Sequence, residues 1–241
     1  MSPELMAMYA MLLGLLGPPS GGDPNVNMPR ELILKTGSRI VAIGDSITEA
    51  GGYLRNVDAV LAGRYAGLKL PQIENVGIGG QKAEDLVKRF QHDVIDKKPA
   101  VVTISVGIND VWHRAGQRHD PKVLAEYWIN VAKMVEMSQK AGIKVILLSP
   151  TVIGEHAEAS ANKRLGIYVE AEKQIARDYH CTLVDLHAMF LTALAKRPAE
   201  LAGKDKWLTS DGVHMSPPGD ALMAIGVLRA LGVPDRHIAG D

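Results

Sequence analysis

Residues 100–110 read AVVTISVGIND. The run at 101–106 is almost unbroken in apolar and β-branched character, as a strand covered on both faces should be. Gly107 ends it, and Asn109 and Asp110 follow at once. Similar short runs lie on either side, at 39–43 (RIVAI), 72–76 (QIENV), 144–148 (KVILL) and 182–184 (TLV). Helical patterns separate them. Leu124, Tyr127, Trp128, Val131, Met134 and Val135 form one stripe at i, i+3, i+4 spacing, opened by Asp120-Pro121 and closed by Gly142. Leu86, Val87, Phe90 and Val94 stripe a second helix, Tyr168, Ile175, Ala176 and Tyr179 a third, and a last helix is expected from about 218 to 231. Strand and helix alternating through short turns predict an α/β fold, with one parallel sheet, right-handed crossovers and helices on both faces. In such sheets ligands bind beyond the carboxyl ends of the strands. The residues just after each strand are therefore where the chemistry is to be read.

Composition narrows the field. The chain has 241 residues, 46% of them hydrophobic, which is enough for a core without staples. Its single cysteine excludes an intrachain disulfide and a cysteine-cluster zinc site. Basic and acidic residues balance at 27 each with no basic run, which argues against nucleic acid as a partner. No apolar stretch reaches the roughly 18 residues of a membrane span. Residues 1–30 stand apart from a main domain at 31–241. The apolar run 5–17 (LMAMYAMLLGLLG) leads into a Gly-Pro-Pro-Ser-Gly-Gly break. A signal peptide shares that apolar centre, but Glu4 stands where a basic residue would precede it, and Ser2-Pro3 reads as a helix cap and first turn. The expectation is a short helix docking on the body or on another subunit, with a homo-oligomer as one consequence. Cytoplasmic residence is favoured, and secretion or periplasmic export stays open.

Four strand-end or loop segments carry candidate chemistry: Gly44-Asp45-Ser46-Ile47-Thr48, the stretch from Asn75 through Gly80, Gly107-Ile108-Asn109-Asp110, and Asp211-Gly212-Val213-His214. A serine hydroxyl needs a neutral imidazole to take its proton as it attacks, and that imidazole needs an acceptor on its other nitrogen. Ser46, His214 and Asp211 supply these three parts. Attack on an ester carbonyl builds charge on oxygen, which fixed N–H donors must meet. The amides of Ser46 and Gly80 and the side chain of Asn109 share one sheet edge if their strands are adjacent, and glycine at 80 admits close approach of the backbone. Each segment taken alone reads as a turn or a helix cap. Their joint occurrence, in order and at strand ends, favours acyl transfer.

These segments identify the chain as resembling the SGNH hydrolase superfamily, the GDSL-type esterases and lipases, over roughly residues 40–231. Ser46 stands in the nucleophile position, Gly80 and Asn109 in the oxyanion-donor positions, and Asp211 and His214 in the Asp-x-x-His block. Ala50 departs from a glycine common in relatives, with Gly51 and Gly52 directly after it. The resemblance implies a three-layer, flavodoxin-like α/β/α fold with about five parallel strands. It also implies a serine-ester mechanism with no metal or organic cofactor, and an open, shallow site. Trp112, His113 and Thr151 are candidate pocket-lining residues. Asp185 and His187 read as a helix cap and a surface histidine rather than metal ligands.

The resulting expectation is a serine esterase acting through an acyl-enzyme on short-acyl, acetyl-type esters of a carbohydrate or small alcohol. The alternatives are a lysophospholipase or thioesterase on longer chains, a non-catalytic carbohydrate-binding module, and a nucleotide- or flavin-binding protein. Gly77-Ile78-Gly79-Gly80-Gln81-Lys82 lacks the Gly-Lys-Ser/Thr that a phosphate loop requires.

Overall fold

A computed structural model of the chain describes residues 2–17, 25–201 and 206–240. The stretch quoted above becomes β3 (Val101–Ser105), the middle strand of a five-stranded parallel sheet. The others are β1 (Ile40–Gly44), β2 (Glu74–Asn75), β4 (Lys144–Leu148) and β5 (Thr182–Val184), in the spatial order β2-β1-β3-β4-β5. β1 pairs with β3 in register from Ile40 opposite Val101 to Gly44 opposite Ser105. Every residue of β1 and β3 is buried, which accounts for their unbroken apolar runs. β2 is shorter than the expected 72–76, because its two residues lie exposed at the sheet edge. Backbone pairing nevertheless continues past it, from Val76 N to Ala42 O (2.9 Å) and from Ile78 N to Gly44 O (3.1 Å). That continuation carries the following glycines up to the end of β1.

The helices follow their caps and stripes. In α6 (Pro121–Lys140), Asp120 accepts from Lys122 N at 2.9 Å, and Tyr127, Val131, Met134 and Val135 are buried. α4 (Ala83–Phe90) and α7 (Ser160–Asp178) flank α6 in one layer. α3 (Gly52–Arg64) and α9 (Pro217–Ala230) pack together in the other. Short α2 (Ser46–Ala50) and α5 (Ile108–Trp112) start directly beyond β1 and β3. The architecture is the three-layer α/β/α sandwich anticipated.

The N-terminal segment forms α1 (Pro3–Leu16), with Ser2 accepting from Leu5 N at 3.3 Å. It packs on α8 (Leu186–Ala195), α9 and α10 (Asp235–Ala239) and buries Tyr9 and Leu12 completely. That contact lies within the chain, so the helix offers no support for assembly with a second subunit. The expected break at 18–22 lies outside the described residues. No helix among the described residues is long and apolar enough to cross a membrane.

Candidate active site

The chain reverses direction across β1, whose neighbours are β2 on one side and β3 on the other. The loops leaving these three strands therefore meet at one edge, the switch point at which open α/β sheets bind ligands. Asp45 follows β1 and caps α2 by accepting from Ile47 N at 3.0 Å, which leaves Ser46 as the first helical residue. From across the edge, Ser46 Oγ lies 2.9 Å from Nε2 of His214. On the far side of that ring, Nδ1 lies 2.6 Å from Asp211 Oδ2. A carboxylate oxygen can only accept, so Nδ1 donates, and in the neutral ring Nε2 is free to accept from the serine hydroxyl. Asp211 Oδ1 also accepts from Val213 N (2.9 Å) and His214 N (2.8 Å), which locks the short loop around the pair. The three-residue spacing thus closes on itself as the chemistry requires.

Two carboxylates near this imidazole have opposite environments. Burial pushes Asp45 up to about 6, against the opposing pull of the Ile47 N–H and the nearby His214 ring. Slight burial acts on Asp211 in the same sense, but hydrogen bonds from the His214 ring and from the His214 and Val213 amides outweigh it and hold the carboxyl at about 2. Asp211 thus carries full negative charge beside the ring.

The donor side is assembled from the loops after β2 and β3. Gly77 has no room for a side chain, since a Cβ there would lie 2.3 Å from the backbone nitrogen of Glu49. Asn75 fastens this close approach, its Nδ2 donating to Thr48 O at 2.6 Å and its Oδ1 accepting from Gly77 N at 2.9 Å. A Cβ on Gly79 would come within 3.8 Å of the Ser46 Cβ, so the loop runs beside the serine. Gly80 has a conformational reason to be glycine in addition to the close approach expected of it. Its φ is +75°, while a Cβ there would meet no protein atom within 4 Å. Conformation, rather than crowding by the protein, selects the residue. Asn109 is buried and donates from Nδ2 to Gln81 O at 3.0 Å, which joins the β3 loop to the β2 loop. Asp110 sits beneath, 3.4 Å from Ala83 N at the start of α4, and burial raises it to about 7.

Of the pocket candidates, Trp112 is 40% exposed and presents a near-perpendicular ring to His214, at 6.4 Å between centroids. His113 is exposed beside it. Thr151 is instead buried at 2% exposure and presents almost no surface to a pocket. His187, expected at the surface, is also buried, with Nδ1 donating to Thr151 O at 2.5 Å. Asp185 caps α8 by accepting from Ala188 N at 2.8 Å, and it pairs with Lys173. Among the described residues no three His, Cys, Asp or Glu side chains gather in a way that could hold a metal ion.

Two supporting residues escaped the sequence reading. Arg89 donates to Gln81 Oε1 (2.7 Å), Val76 O (2.7 Å) and Asp93 (2.6 Å), bracing the glycine loop from α4. Glu155 accepts from the backbone at 207–209. Neither lies in a recognisable motif. An arginine in a helix and a glutamate in a loop ordinarily read as solvated charge.

Comparison with known proteins agrees with this geometry. The model of the GDSL-like lipase/acylhydrolase family matches residues 42–222. An acetylxylan esterase of Geobacillus stearothermophilus is 31% identical over 216 residues, covering 82% of this chain and 95% of that protein. A crystal structure of that organism's acetylxylan esterase superposes with a TM-score of 0.73 at 29% identity, covering 83% of this chain and 97% of the other. Catalytic mutants of that esterase carry alanine in place of a serine and of an aspartate. A second acetyl xylan esterase structure is 32% identical, with a TM-score of 0.70 over 78% of this chain and 97% of its own. The chain belongs to the GDSL-like lipase/acylhydrolase (SGNH) family and is a carboxylic ester hydrolase.

Proposed function

We propose that the protein removes acetyl groups from carbohydrate esters by way of an acyl-enzyme on Ser46. The observation that carries the reading is the unbroken relay from Ser46 Oγ through His214 to Asp211, at 2.9 and 2.6 Å. His214 Nε2 takes the hydroxyl proton as Oγ attacks the ester carbonyl carbon. The resulting oxyanion is met by the amides of Ser46 and Gly80 and by the Asn109 side chain. Collapse of the tetrahedral intermediate breaks the bond to the alcohol oxygen, which leaves with the proton from His214. Water, activated by the same imidazole, then releases acetate and restores the serine. Asp211 holds the ring in the tautomer that leaves Nε2 open, and it stabilises the imidazolium that forms.

Support for a sugar alcohol comes from the acetylxylan esterase relatives and from Trp112. That exposed indole stands beside the base that must protonate the leaving alcohol, where an aromatic surface can take the C–H face of a pyranose. On the competing long-chain reading, the apolar helix α1 would cover a lipid groove. Its buried residues, however, are engaged with α8, α9 and α10.

The test is a panel of 4-nitrophenyl acetate, octanoate and palmitate beside acetylated xylo-oligosaccharides, assayed with wild type and Ser46→Ala. Acetyl substrates should be cleaved best, and Ser46→Ala should lose about 10⁴-fold or more together with fluorophosphonate labelling. Fastest cleavage of palmitate would reject the acetyl reading. Label retained in Ser46→Ala would move the nucleophile elsewhere.

A further inference from the structure

Asp211 and His214 ride on a hairpin outside the sheet. Ser210 N donates to His214 O (2.8 Å), Ser216 N donates to Leu208 O (3.0 Å), and Thr209 bridges Met215 in antiparallel fashion. The root of this hairpin closes on Glu155, in the loop that leaves β4, whose side chain is 1% exposed. Glu155 Oε1 accepts from Leu208 N (2.7 Å), Thr209 N (2.7 Å) and Thr209 Oγ1 (2.9 Å), and Trp207 N lies 2.9 Å from both oxygens. The Arg197 guanidinium pairs with Oε2. Three successive backbone N–H groups thus converge on one carboxylate, as in the nests that bind free anions. Here the anion comes from the chain itself. The adjoining Gly154 N donates to Gly212 O at 2.7 Å, so the same loop also holds the hairpin tip, between the aspartate and the histidine.

We propose that Glu155 is a positioning residue for acyl transfer. Its carboxylate fixes the root of the 208–216 hairpin and thereby sets Nε2 of His214 against Oγ of Ser46. Glu155 touches none of the reacting atoms. Its backbone partners all belong to the segment that leads into the hairpin, so weakening it loosens that element before the sheet. A displacement of the base by about 1 Å is enough to cost on the order of 100-fold in rate. The inference rests on the serine-esterase reading above.

Glu155→Gln tests it. The amide must point its NH2 either at the Leu208 and Thr209 N–H groups or at Arg197, donor against donor. With 4-nitrophenyl acetate, kcat should fall about 100-fold while KM stays within threefold, at a temperature where circular dichroism shows the variant folded. Amide hydrogen exchange across 207–216 should quicken at least tenfold, with β3 unchanged. A folded variant with kcat within threefold of wild type, a loss that falls on KM instead, or unchanged exchange in the hairpin would overturn the proposal. Should Glu155→Gln fail to fold, Glu155→Asp keeps the charge on a shorter stem and is judged by the same two measurements. If wild type neither hydrolyses the ester nor takes fluorophosphonate label at Ser46, the esterase reading itself fails, and this role fails with it. The exchange arm would still report separately whether Glu155 holds the hairpin.

Discussion

Ser46 and Asn109 sit directly beyond β1 and β3, with Gly80 on the loop after β2, whereas Asp211 and His214 lie on a hairpin that joins no strand of the sheet. In the first group, Asn109 and Asp45, the residue before Ser46, are each 2% exposed, while Gly80 lies on an exposed loop. In the second, the side chains of His214 and Asp211 are 37% and 53% exposed. The proposed nucleophile and oxyanion donors thus take their geometry from the sheet edge. The proposed proton carrier depends on a few local hydrogen bonds and on the 154–155 loop. The same division governs charge. Asp45, desolvated at the sheet end, is raised to about 6, while Asp211, in contact with water and with three donors, is held at about 2. Rigidity at the sheet edge is obtained by desolvating polar groups, and the hairpin obtains a fully ionised carboxylate by leaving it near solvent.

The sharpest way to break this comparison is Asp211→Asn. The hairpin half owes its orientation to one carboxylate, so kcat/KM should drop about 10³- to 10⁴-fold as the ring loses its tautomer and its ionic partner. Because the residue is half exposed, loss of its local hydrogen bonds should lower Tm by only a few degrees. A loss below tenfold in a steady-state assay would mean that something other than Asp211 orients the base.

On the sheet half, Asn109→Ala should behave differently. Removal of one oxyanion donor costs about 10²- to 10³-fold in kcat. The same change breaks the tie from Asn109 Nδ2 to Gln81 O and leaves a part-buried carbonyl without this donor, at a stability cost of about 1 kcal/mol. Kinetics and chemical denaturation run on one preparation should therefore show activity and stability falling together. If kcat fell with the unfolding midpoint unchanged, the link between the two loops would not be bearing structure.

How far the sequence reached follows this same division. β1, β3, β4 and β5 were legible because strands buried on both faces are written as apolar runs, and the α6 stripe is equally local. The four candidate segments could be picked out because each is contiguous and sits at a strand end or in the last loop. The edge strand β2 was overdrawn, since its exposed residues carry no burial signal. The burial of Thr151 and His187 was missed because it depends on contacts between the β4 loop and α8. Glu155 was invisible for the same reason, its partners lying more than fifty residues downstream at 207–209. Glycine at 80 was read as admitting close approach of the backbone; its positive φ is a further reason for glycine that the letters alone do not carry.

A last and subtler contrast concerns what the buried half gives up to be rigid. Burial pushes the Asp45 carboxyl up to about 6 from the 3.8 of a solvent-exposed carboxyl, so the native state holds its proton more tightly than the unfolded chain does. A raised carboxyl stabilises the fold below the unfolded value, and that contribution is lost as pH rises from about 4 through 6. Above pH 6, the ionised and desolvated carboxylate disfavours the native state by about 3 kcal/mol relative to acid conditions. Asp45→Asn keeps an oxygen that can cap α2 at the Ile47 N–H but removes the titration. Urea unfolding at pH 4 should therefore find variant and wild type nearly equal, and the difference should grow in favour of the variant up to pH 7. A difference that stays constant from pH 4 to 7 would mean that Asp45 is not the strained carboxylate of the sheet edge. Asp211, whose depressed pKa has the opposite sign, adds stability above pH 4 that is lost only as pH falls toward 2, so the two carboxylates are separable in one titration.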